Sequence, residues 1–391
     1  MTTVSAPPAL HEYFDRPVPH GSDSVPRATP YTLFSIATAL DAYRELVRAM
    51  PVEVWYAVKA APVPELLREL SLLGAKFDVA SPGEIDLVLA AGARPEQLSY
   101  GNPVRSYEEV LQAAAKGIRT WVVDIDIEVQ RIARVAPGSE IVIRLANDGG
   151  GAAWPLRGKF GCSVAEADQL ARLAHARGLR VAGLSFHVGS QQLDVQGWDD
   201  PVEAAGKLWS TLAADGIQMR LLNLGGGLPC EGYRTPTRPL QEYADAITAA
   251  VEEHFPGVQP QLVAEPGRSL VAAAGVTVTT VKRVVQRPDG RRYVFLDGGI
   301  FSIGLVEAID SVIEYRIEAL GYPADTPLMP VAVVGPTCDS LDEVAARTPY
   351  LLPVGITEQD RVVLWSTGAY TWSYSSTHFN GYAPASLVVI P

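Results

Sequence analysis

The chain has 391 residues, of which 48% are hydrophobic and 19% charged, and its formal net charge is −12 at pH 7. A single hydrophobic core stops growing at roughly 250–300 residues, so this length favours two domains. The low charged fraction excludes disorder as the main state. The excess of Asp and Glu over Lys and Arg argues against sequence-independent nucleic-acid binding and against an anionic membrane surface as a partner.

The chain contains three cysteines, Cys162, Cys230 and Cys338, and no Cys-x-x-Cys pair. An odd count without that spacing favours neither a disulfide scaffold nor a zinc ribbon, and it fits a reducing cytoplasm. The N-terminus has no basic region followed by a long apolar stretch, so no secretory signal peptide is expected. No apolar run approaches the roughly 20 residues that span a bilayer. No cluster of ligand-type side chains predicts a metal site.

After an irregular leader over residues 1–30, short β-branched or aromatic segments alternate with Ala- and Leu-rich segments of helical period. The predicted strands are 53–59, 76–80, 98–101, 120–124, 140–145, 182–188, 221–225 and 261–265. The predicted helices between them include 64–74, 83–92, 106–117, 164–178 and 240–254. Eight strand–helix units in about 230 residues are typical of a closed (β/α)8 barrel, and strands that are apolar on both faces suit a parallel sheet covered on both sides. An open doubly wound sheet is the alternative, but no G-x-G-x-x-G follows the first strand.

The pattern changes after Glu265. Residues 269–300 contain two β-rich runs separated by Pro-Asp-Gly, which predicts a β-hairpin. Further short strands are predicted at 329–334, 361–365 and 387–390. The expected organisation is an N-terminal segment (1–30) that packs on the β-domain, a barrel (31–267) and a C-terminal β-domain (268–391).

Lys59 ends the first predicted strand, directly after a run of mostly apolar residues. Burying a charged amine there is costly, and burial lowers the pKa of a lysine, which makes a neutral nucleophile available. The carboxyl end of a barrel strand also faces the usual active-site mouth. The alternative is a lysine that extends its amine into solvent at the strand end.

Glycine-rich turns follow the seventh and eighth predicted strands. Gly225 ends the seventh strand and Gly226 and Gly227 follow it, while Gly267 and Arg268 follow the eighth. Backbone N–H groups in such turns can hold a phosphate, and barrels commonly bind phosphate after these two strands. The sequence therefore favours a phosphate site here over a pair of tight turns without a ligand.

Three polar side chains also lie at strand ends: His187 near the end of the sixth strand, Ser190 just after it, and Glu265 at the end of the eighth. A neutral imidazole can stack on a planar ring, although a core histidine is the plainer interpretation. A serine hydroxyl can donate to phosphate. A buried carboxylate needs a cationic partner, which either Arg268 or a protonated pyridine nitrogen can supply. Together with Lys59, these groups meet the requirements of pyridoxal 5′-phosphate, whose protonated ring is an electron sink.

The predicted β-domain contributes Cys338, which is followed directly by Asp339, and further along the chain Tyr370. A thiol can protonate a carbanion, an aspartate can bind a substrate cation, and a tyrosine can contact the cofactor or its phosphate. The alternatives are an ordinary polar loop and a core tyrosine.

These motifs, in this order, resemble the fold-type III PLP-dependent decarboxylases, the group of ornithine, lysine, arginine and diaminopimelate decarboxylases. The matching segments are 56–59, 77–81, 159–161, 186–190, 225–227, 264–268, 335–339 and 368–370. Each segment by itself is weak evidence for the family, but the full set in this order is highly specific. The resemblance covers roughly residues 30–390. The resemblance implies a barrel followed by a β-domain, as in alanine racemase and ornithine decarboxylase.

The resemblance also implies a role for each matched residue. Lys59 is implied as the Schiff-base lysine, His187 as the residue stacked on the ring, and Glu265 as the partner of the ring nitrogen. The implied phosphate-binding residues are Ser190, Gly225, Gly226, Gly227, Gly267, Arg268 and Tyr370, with Asp78 and Arg144 near Lys59 and His187.

Cys338 is implied as the proton donor to the substrate α-carbon and Asp339 as the group that binds the distal amine. Because this segment reaches the other subunit's active site in the family, a homodimer with shared sites is implied. Residues 147–160 resemble the family's mobile loop, which closes over the site.

The substrate end of the site favours a basic amino acid of the ornithine or lysine type. Asp310 and Asp339 provide two carboxylates, which suit a distal ammonium and would repel the distal carboxylate of diaminopimelate. Tyr370 also lies on the substrate side. Phe301 stands where ornithine decarboxylases carry an aromatic hydroxyl, and Trp372 is bulkier than expected, so a substituted basic amino acid also fits.

The activity expected from this resemblance is decarboxylation of L-ornithine or L-lysine to a diamine, in polyamine biosynthesis. A decarboxylase of diaminopimelate, arginine, a carboxylated polyamine or a siderophore precursor is a second hypothesis. A third is a catalytically inactive regulatory homologue, against which the intact Lys59, Glu265 and Cys338 argue. An amino-acid racemase would need a tyrosine early in the β-domain, and none occurs between 266 and 292.

Overall fold

The computed structural model describes residues 28–156 and 158–391 of the chain. Its strands are β1 (Tyr31–Ser35), β2 (Glu53–Ala57), β3 (Lys76–Val79), β4 (Leu98–Tyr100), β5 (Thr120–Val123), β6 (Glu140–Arg144), β7 (Ala152–Trp154), β8 (Arg180–Ser185), β9 (Ser190–Gln192), β10 (Leu221–Asn223), β11 (Gln261–Ala264), β12 (Gly275–Gln286), β13 (Arg292–Leu296), β14 (Ile317–Ala319), β15 (Leu328–Val334), β16 (Tyr350–Pro353), β17 (Arg361–Trp365) and β18 (Ser386–Ile390). Its helices are α1 (Ile36–Ala49), α2 (Pro64–Leu72), α3 (Pro82–Ala90), α4 (Tyr107–Ala115), α5 (Asp126–Val135), α6 (Val164–Ala176), α7 (Asp199–Ala214), α8 (Leu240–His254), α9 (Arg268–Val271) and α10 (Ile300–Ile303).

The chain divides into two compact units, a β unit and a barrel unit. The β unit comprises the described residues up to Ala42 together with Cys230–Thr237 and Leu270–Pro391. The barrel unit comprises Tyr43–Pro229 and Arg238–Ser269. The expected segment over residues 1–30 lies, apart from its last three residues, outside the described part of the chain.

The barrel unit is built on a closed parallel sheet, in the order β2-β3-β4-β5-β6-β8-β10-β11, with β11 pairing back to β2. Each predicted barrel strand is confirmed, and so are the five predicted helices and the closed-barrel architecture. One buried layer is formed by a residue from each of six strands. These residues are Trp55, Val122, Val142, Ala182, Leu221 and Val263.

Local sequence explains where several barrel helices begin. Ser106 and Ser163 are the N-cap residues of α4 and α6, and each accepts a hydrogen bond from the N–H of a glutamate three residues on. The glutamate side chain in turn accepts from the N–H of the serine, which forms a capping box. Proline at the first position of α2 and α3 supports the same boundary. These helices connect the parallel strands and cover the outside of the sheet.

The β unit contains an eight-stranded sheet with the path β14-β17-β12-β13-β15-β16, to which β1 and β18 are added. Strands β12 and β13 pair antiparallel, so the predicted hairpin is confirmed. Strand β1 pairs with β12 and with β18, which places residues 31–35 in this sheet. The expected start of the barrel at residue 31 differs from this arrangement, because Tyr31 and Leu33 bury their side chains against β12 and β17.

A second departure from the expected boundaries is the segment Cys230–Thr237, which follows β10 in the chain but packs in the β unit. The N–H of Arg234 donates to the carbonyl of Glu314 at 2.9 Å. The Arg234 guanidinium lies 4.7 Å from the centroid of the Tyr350 ring. This segment thus bonds to residues that follow much later in the chain, which no local pattern indicates.

In the described ranges, no helix combines the length and apolar character needed to cross a membrane. Within the same residues, no group of three or more His, Cys, Asp or Glu side chains is placed to hold a metal ion.

Candidate active site

Five predicted site residues lie at the carboxyl end of the barrel. Lys59 follows β2, Asp78 is in β3, Arg144 ends β6, His187 follows β8 and Glu265 follows β11. The carboxyl ends of parallel strands meet at one end of a barrel, which is where barrel enzymes place their active sites. The fold therefore brings together residues that are far apart in the chain.

Lys59 belongs to a single 3-10 turn, Val58–Ala60, just beyond the last residue of β2. Its side chain is 50% exposed, and its Nζ atom lies 3.8 Å from Oδ2 of Asp78. The burial expected for this amine is wrong, because the strand ladder ends at Ala57 and the lysine projects beyond it. Its amine is accessible at the barrel mouth and lies next to a carboxylate.

Asp78 is a buried carboxylate whose Oδ1 atom has no hydrogen-bond partner among the described residues. Burial and the nearby Glu265 raise the pKa of Asp78 to about 8, while Lys59 opposes this shift. Gly101 makes this position possible, since any side chain there would overlap the Asp78 carboxylate. The protonation state of Asp78 thus depends on what else is charged around it.

A change of Asp78 to asparagine is expected to alter the pH dependence of stability in the cofactor-free protein. The pKa of Asp78 is about 8 in the folded protein against an ordinary value of 3.8, so the folded state binds more protons between these values. Wild-type stability therefore falls as pH rises through this window, and Asp78→Asn removes the fall. In thermal unfolding, the Tm of the variant relative to that of wild type should increase as the pH rises from about 5 to about 8. A gain that does not change with pH, or the same gain for the exposed Asp325→Asn, would contradict this.

His187 is held as a neutral ring. The N–H of Gly189 donates to Nδ1 at 3.0 Å, so the ring proton of the neutral form lies on Nε2. Burial, Arg144 and Lys59 lower the pKa of His187 well below its ordinary value of 6.5. A neutral imidazole can lie beside a protonated aromatic ring without the repulsion that a second cation would bring.

Glu265 is fixed by bonds to the strand and turn next to it. Nδ2 of Asn223 donates to Oε1 of Glu265 at 2.6 Å. The N–H of Glu265 donates to the carbonyl of Gly225 at 2.8 Å. Asn223 is a functional candidate that the sequence analysis did not single out, although it is the one polar side chain in the strand Leu221–Asn223.

The predicted phosphate-binding residues of the barrel unit also come together. Nε and Nη2 of Arg268 donate to Oγ of Ser190 at 3.2 and 3.0 Å, and Arg268 is buried. Gly267, directly before Arg268, is buried as well. Gly225 and Gly227 have φ values of 68° and 111°, in the left-handed region that favours glycine.

Gly226 completes the same turn, between the two left-handed glycines. A Cβ atom on it would lie 3.0 Å from Nε2 of His187 and 2.9 Å from the carbonyl oxygen of Glu265. The turn can therefore adopt this conformation only with glycine at position 226. A cation, a hydroxyl, a glycine cradle, a carboxylate and an amine are the groups that pyridoxal 5′-phosphate needs, so the residues fit this cofactor.

The predicted closing loop, residues 147–160, is described apart from Arg157. Part of it forms β7, which pairs antiparallel with β9 so that Trp154 stands opposite Ser190. Nε2 of Gln192 donates to the carbonyls of Gly150 and Val188 at 2.8 and 2.9 Å. In this structure the loop is thus joined by backbone pairing to the strand that carries Ser190.

The remaining predicted site residues, Cys338, Asp339, Asp310, Phe301 and Tyr370, belong to the β unit. Cys338 is exposed, and its N–H and Sγ donate to Oδ1 of Asn380 at 3.1 and 3.3 Å. Oδ1 of Asp339 accepts from the N–H of Leu341 at 2.9 Å.

The backbone around two of these residues is strained. Asp310 is exposed, and it and Ser311 have φ values of 58° and 56°, an uncommon pair for residues other than glycine. Tyr370 also has a positive φ, of 54°. Strain of this kind clusters at functional sites, where the surrounding structure maintains it.

The Phe301 ring packs against the Phe379 ring, with centroids 4.4 Å apart. Phe379 directly precedes Asn380, the residue that binds Cys338. The β unit therefore connects the predicted aromatic residue of the substrate site with the predicted proton donor through two adjacent residues.

The family model for the pyridoxal-binding domain of pyridoxal-dependent decarboxylases matches residues 33–272. Lysine/ornithine decarboxylase of Selenomonas ruminantium is 30% identical over 362 residues, covering 92% of this chain and 89% of that protein. Ornithine decarboxylase 2 of Drosophila melanogaster is 32% identical over 347 residues, covering 86% of this chain and 85% of that protein. The structure of lysine/ornithine decarboxylase from Vibrio vulnificus complexed with putrescine matches at a TM-score of 0.81 and 29% identity, covering 93% of this chain and 94% of that one.

Proposed function

Because the chain belongs to the pyridoxal-dependent decarboxylase family, in its fold-type III group, we propose that it removes the carboxyl group of L-ornithine or L-lysine to form the diamine and carbon dioxide. The observation that carries this proposal is the position of the Lys59 amine at the barrel mouth, 3.8 Å from Asp78. Relatives named lysine/ornithine and ornithine decarboxylase support the substrate class.

The residues of the barrel unit would hold the cofactor. We propose that Lys59 binds its aldehyde carbon, that Glu265 pairs with its ring nitrogen, and that His187 stacks on its ring. Ser190, Arg268 and the turn Gly225–Gly227 would hold its phosphate, with Tyr370 of the β unit as a further contact. When bound, the cofactor's protonated ring accepts the electron pair that remains on the α-carbon as carbon dioxide leaves.

The charges of the chain's own residues suit this chemistry. An ionised Glu265 favours a protonated ring nitrogen, and a neutral His187 does not oppose it. Asp78, with a pKa of about 8, can exchange a proton near neutral pH, and its Oδ2 atom is next to the Lys59 amine. We propose that this pair keeps a proton available while Lys59 binds and releases the cofactor.

At the substrate end, we propose that Asp339 and Asp310 bind the distal ammonium group and that Phe301 and Tyr370 line the pocket. Two carboxylates favour a cation over a second carboxylate, which supports ornithine or lysine over diaminopimelate. Cys338 would donate a proton to the α-carbon. Its Sγ atom lies 3.3 Å from Oδ1 of Asn380, which holds the thiol in place.

We also propose a homodimer with shared sites and a cytoplasmic location. Cys338 is exposed in the single chain, whereas a proton donor to a carbanion works best away from bulk water. A partner subunit would provide that environment. None of the three cysteines forms a disulfide, and a reducing compartment would keep the Cys338 thiol intact.

The proposed function is tested by incubating the PLP-loaded protein with ornithine, lysine, arginine, diaminopimelate and 2,4-diaminobutyrate and measuring carbon dioxide release and amine products by mass spectrometry. Turnover of ornithine or lysine is expected. If the protein binds PLP but turns over none of the five, the substrate class is wrong. If it binds no PLP, an inactive regulatory role replaces the enzymatic one.

Replacing Asp339 by asparagine is expected to raise KM for the preferred diamino acid by roughly tenfold to a hundredfold, with a smaller change in kcat. The reason is that hydrogen bonds to a charged group contribute about 1.5–3 kcal/mol. Steady-state kinetics with the matched control Asp325→Asn, an exposed aspartate of the same unit, measures this. An unchanged KM would remove Asp339 from the substrate site.

A further inference from the structure

Asn223, the last residue of β10, is fully buried and uses both ends of its amide. Its Nδ2 donates to Oε1 of Glu265 at 2.6 Å, and its Oδ1 accepts from the N–H of Gly225 at 2.9 Å. One side chain thus connects the carboxylate proposed for the ring nitrogen with the turn proposed for the phosphate.

The strand pairing fixes where this amide lies. Asn223 stands opposite Val263 of β11 and Ser185 of β8, the strands that precede Glu265 and His187. The backbone carbonyl of Asn223 also accepts from the N–H of Phe186 at 3.2 Å. Because the ladder holds its main chain on both sides, the amide has little freedom to move away from Glu265.

The chemistry of the side chain matters as much as its position. An amide offers a donor and an acceptor at once, and both are used here. A carboxylate of the same shape could still accept from Gly225, but it could not donate to Glu265. It would also add a negative charge beside Glu265 and close to Asp78, which already interacts electrostatically with Glu265.

We propose that Asn223 is a positioning residue that holds Glu265 as an ionised, correctly oriented carboxylate for the cofactor's ring nitrogen and at the same time fixes the first residue of the glycine turn. This rests on the proposed role of Glu265. It goes beyond that role by assigning the residue that maintains the charge and direction of the carboxylate.

The test compares wild type with Asn223→Asp, using PLP labelled with 15N in its ring. Asn223→Asp keeps the acceptor for Gly225, but it loses the donor to Glu265 and adds a negative charge beside it. Two readouts are the 15N chemical shift of the bound ring nitrogen and the Kd for PLP. The shift should move from the protonated toward the unprotonated position, and Kd should rise by at least about tenfold, as expected for the loss of a hydrogen bond to a charged group.

The matched control is Gln97→Glu, the same amide-to-acid change at a buried residue of the barrel unit. Nε2 of Gln97 donates to the carbonyl of Ala75, and its Oε1 accepts from the N–H of Arg94. This residue precedes β4, at the end of the barrel opposite the candidate site. The control should leave both the 15N shift and the Kd for PLP unchanged.

A double variant keeps the proposal testable if Asn223→Asp folds poorly. In Asn223→Asp/Glu265→Gln the amide and the acid exchange places, so the hydrogen bond between the two positions can form again with its direction reversed. We expect folding to be restored, as judged by circular dichroism, while the ring nitrogen stays unprotonated. A protonated ring in the double variant would overturn the proposal.

The outcomes distinguish a failure of the role of Asn223 from a failure of the proposed function. Wild type that binds PLP with a protonated ring, together with an Asn223→Asp variant of unchanged shift and Kd, overturns the role of Asn223 alone. Wild type that binds no PLP overturns the proposed function, and the role of Asn223 with it.

Discussion

Replacement of Lys59 by alanine is expected to lower kcat for decarboxylation by at least about a thousandfold, because the variant lacks the amine that we propose to bind the cofactor and to exchange protons with Asp78. The alanine also leaves Asp78 without its cationic partner at 3.8 Å. Steady-state carbon dioxide release measures the loss. Borohydride reduction of the PLP-loaded wild type followed by peptide mass mapping should locate the pyridoxyl group on Lys59.

The matched control is Lys76→Ala. Lys76 belongs to the same barrel unit and is the first residue of β3, so it lies at the amino end of the barrel strands, whereas Lys59 lies at the carboxyl end. Its Nζ atom pairs with Oε1 of Glu53 at 2.5 Å. Its removal should leave turnover unchanged. A Lys59→Ala variant within tenfold of wild type, or a pyridoxyl group mapped to another lysine, would contradict the assignment.

The same variant tests the proposed homodimer. If Lys59 and Cys338 of one active site come from different subunits, each of the variants Lys59→Ala and Cys338→Ala is impaired by itself. Subunit exchange between them then forms mixed dimers in which one of the two sites is intact. Random exchange should restore about a quarter of wild-type activity. No recovery after demonstrated exchange would place both residues in the same subunit's site.

Replacing Arg105 by methionine is expected to destabilise the barrel unit by about 3 kcal/mol, since it breaks a buried ion pair and leaves the buried Glu128 with the partly exposed Arg131 as its cationic partner. The side chains of Arg105 and Glu128 are 0% and 2% exposed, and Nε of Arg105 donates to Oε2 of Glu128 at 2.9 Å. Its other nitrogens donate to the carbonyls of Tyr100 and Val122 at 3.1 and 2.7 Å. The guanidinium also lies 5.0 Å from the Tyr100 ring centroid.

Urea unfolding of wild type, Arg105→Met, Glu128→Leu and the double variant measures this effect. The free energy of unfolding should fall less in the double variant than the sum of its decreases in the two single variants. The reason is that removing both side chains leaves neither buried charge without its partner. Arg172→Met is the matched control, since Arg172 pairs with Asp168 on the surface and such pairs contribute little. Additive losses, or a loss for Arg105→Met no larger than that of the control, would show that the buried pair does not hold the barrel together.

Much of the barrel could be predicted from local patterns. A buried parallel strand needs apolar residues on both faces, and the helices need caps and an apolar stripe, so these elements leave a readable period in the chain. Lys59, His187 and Glu265 were identified for a related reason: each is a polar residue at the end of an apolar run. Strand β1 was missed as part of the sheet, because a short apolar segment does not indicate which sheet it joins.

The sequence by itself determined the succession of strands and helices, the glycine turns and the identity of the polar groups at the strand ends. Only the tertiary structure decided which groups meet and how they are charged. Asn223 reaches Glu265, and Gly101 leaves room for Asp78, across long separations in the chain. The raised pKa of Asp78 and the lowered pKa of His187 likewise come from burial and from neighbours on other strands. Periodicity is a local property of the chain, whereas desolvation and charge proximity exist only once the barrel has closed.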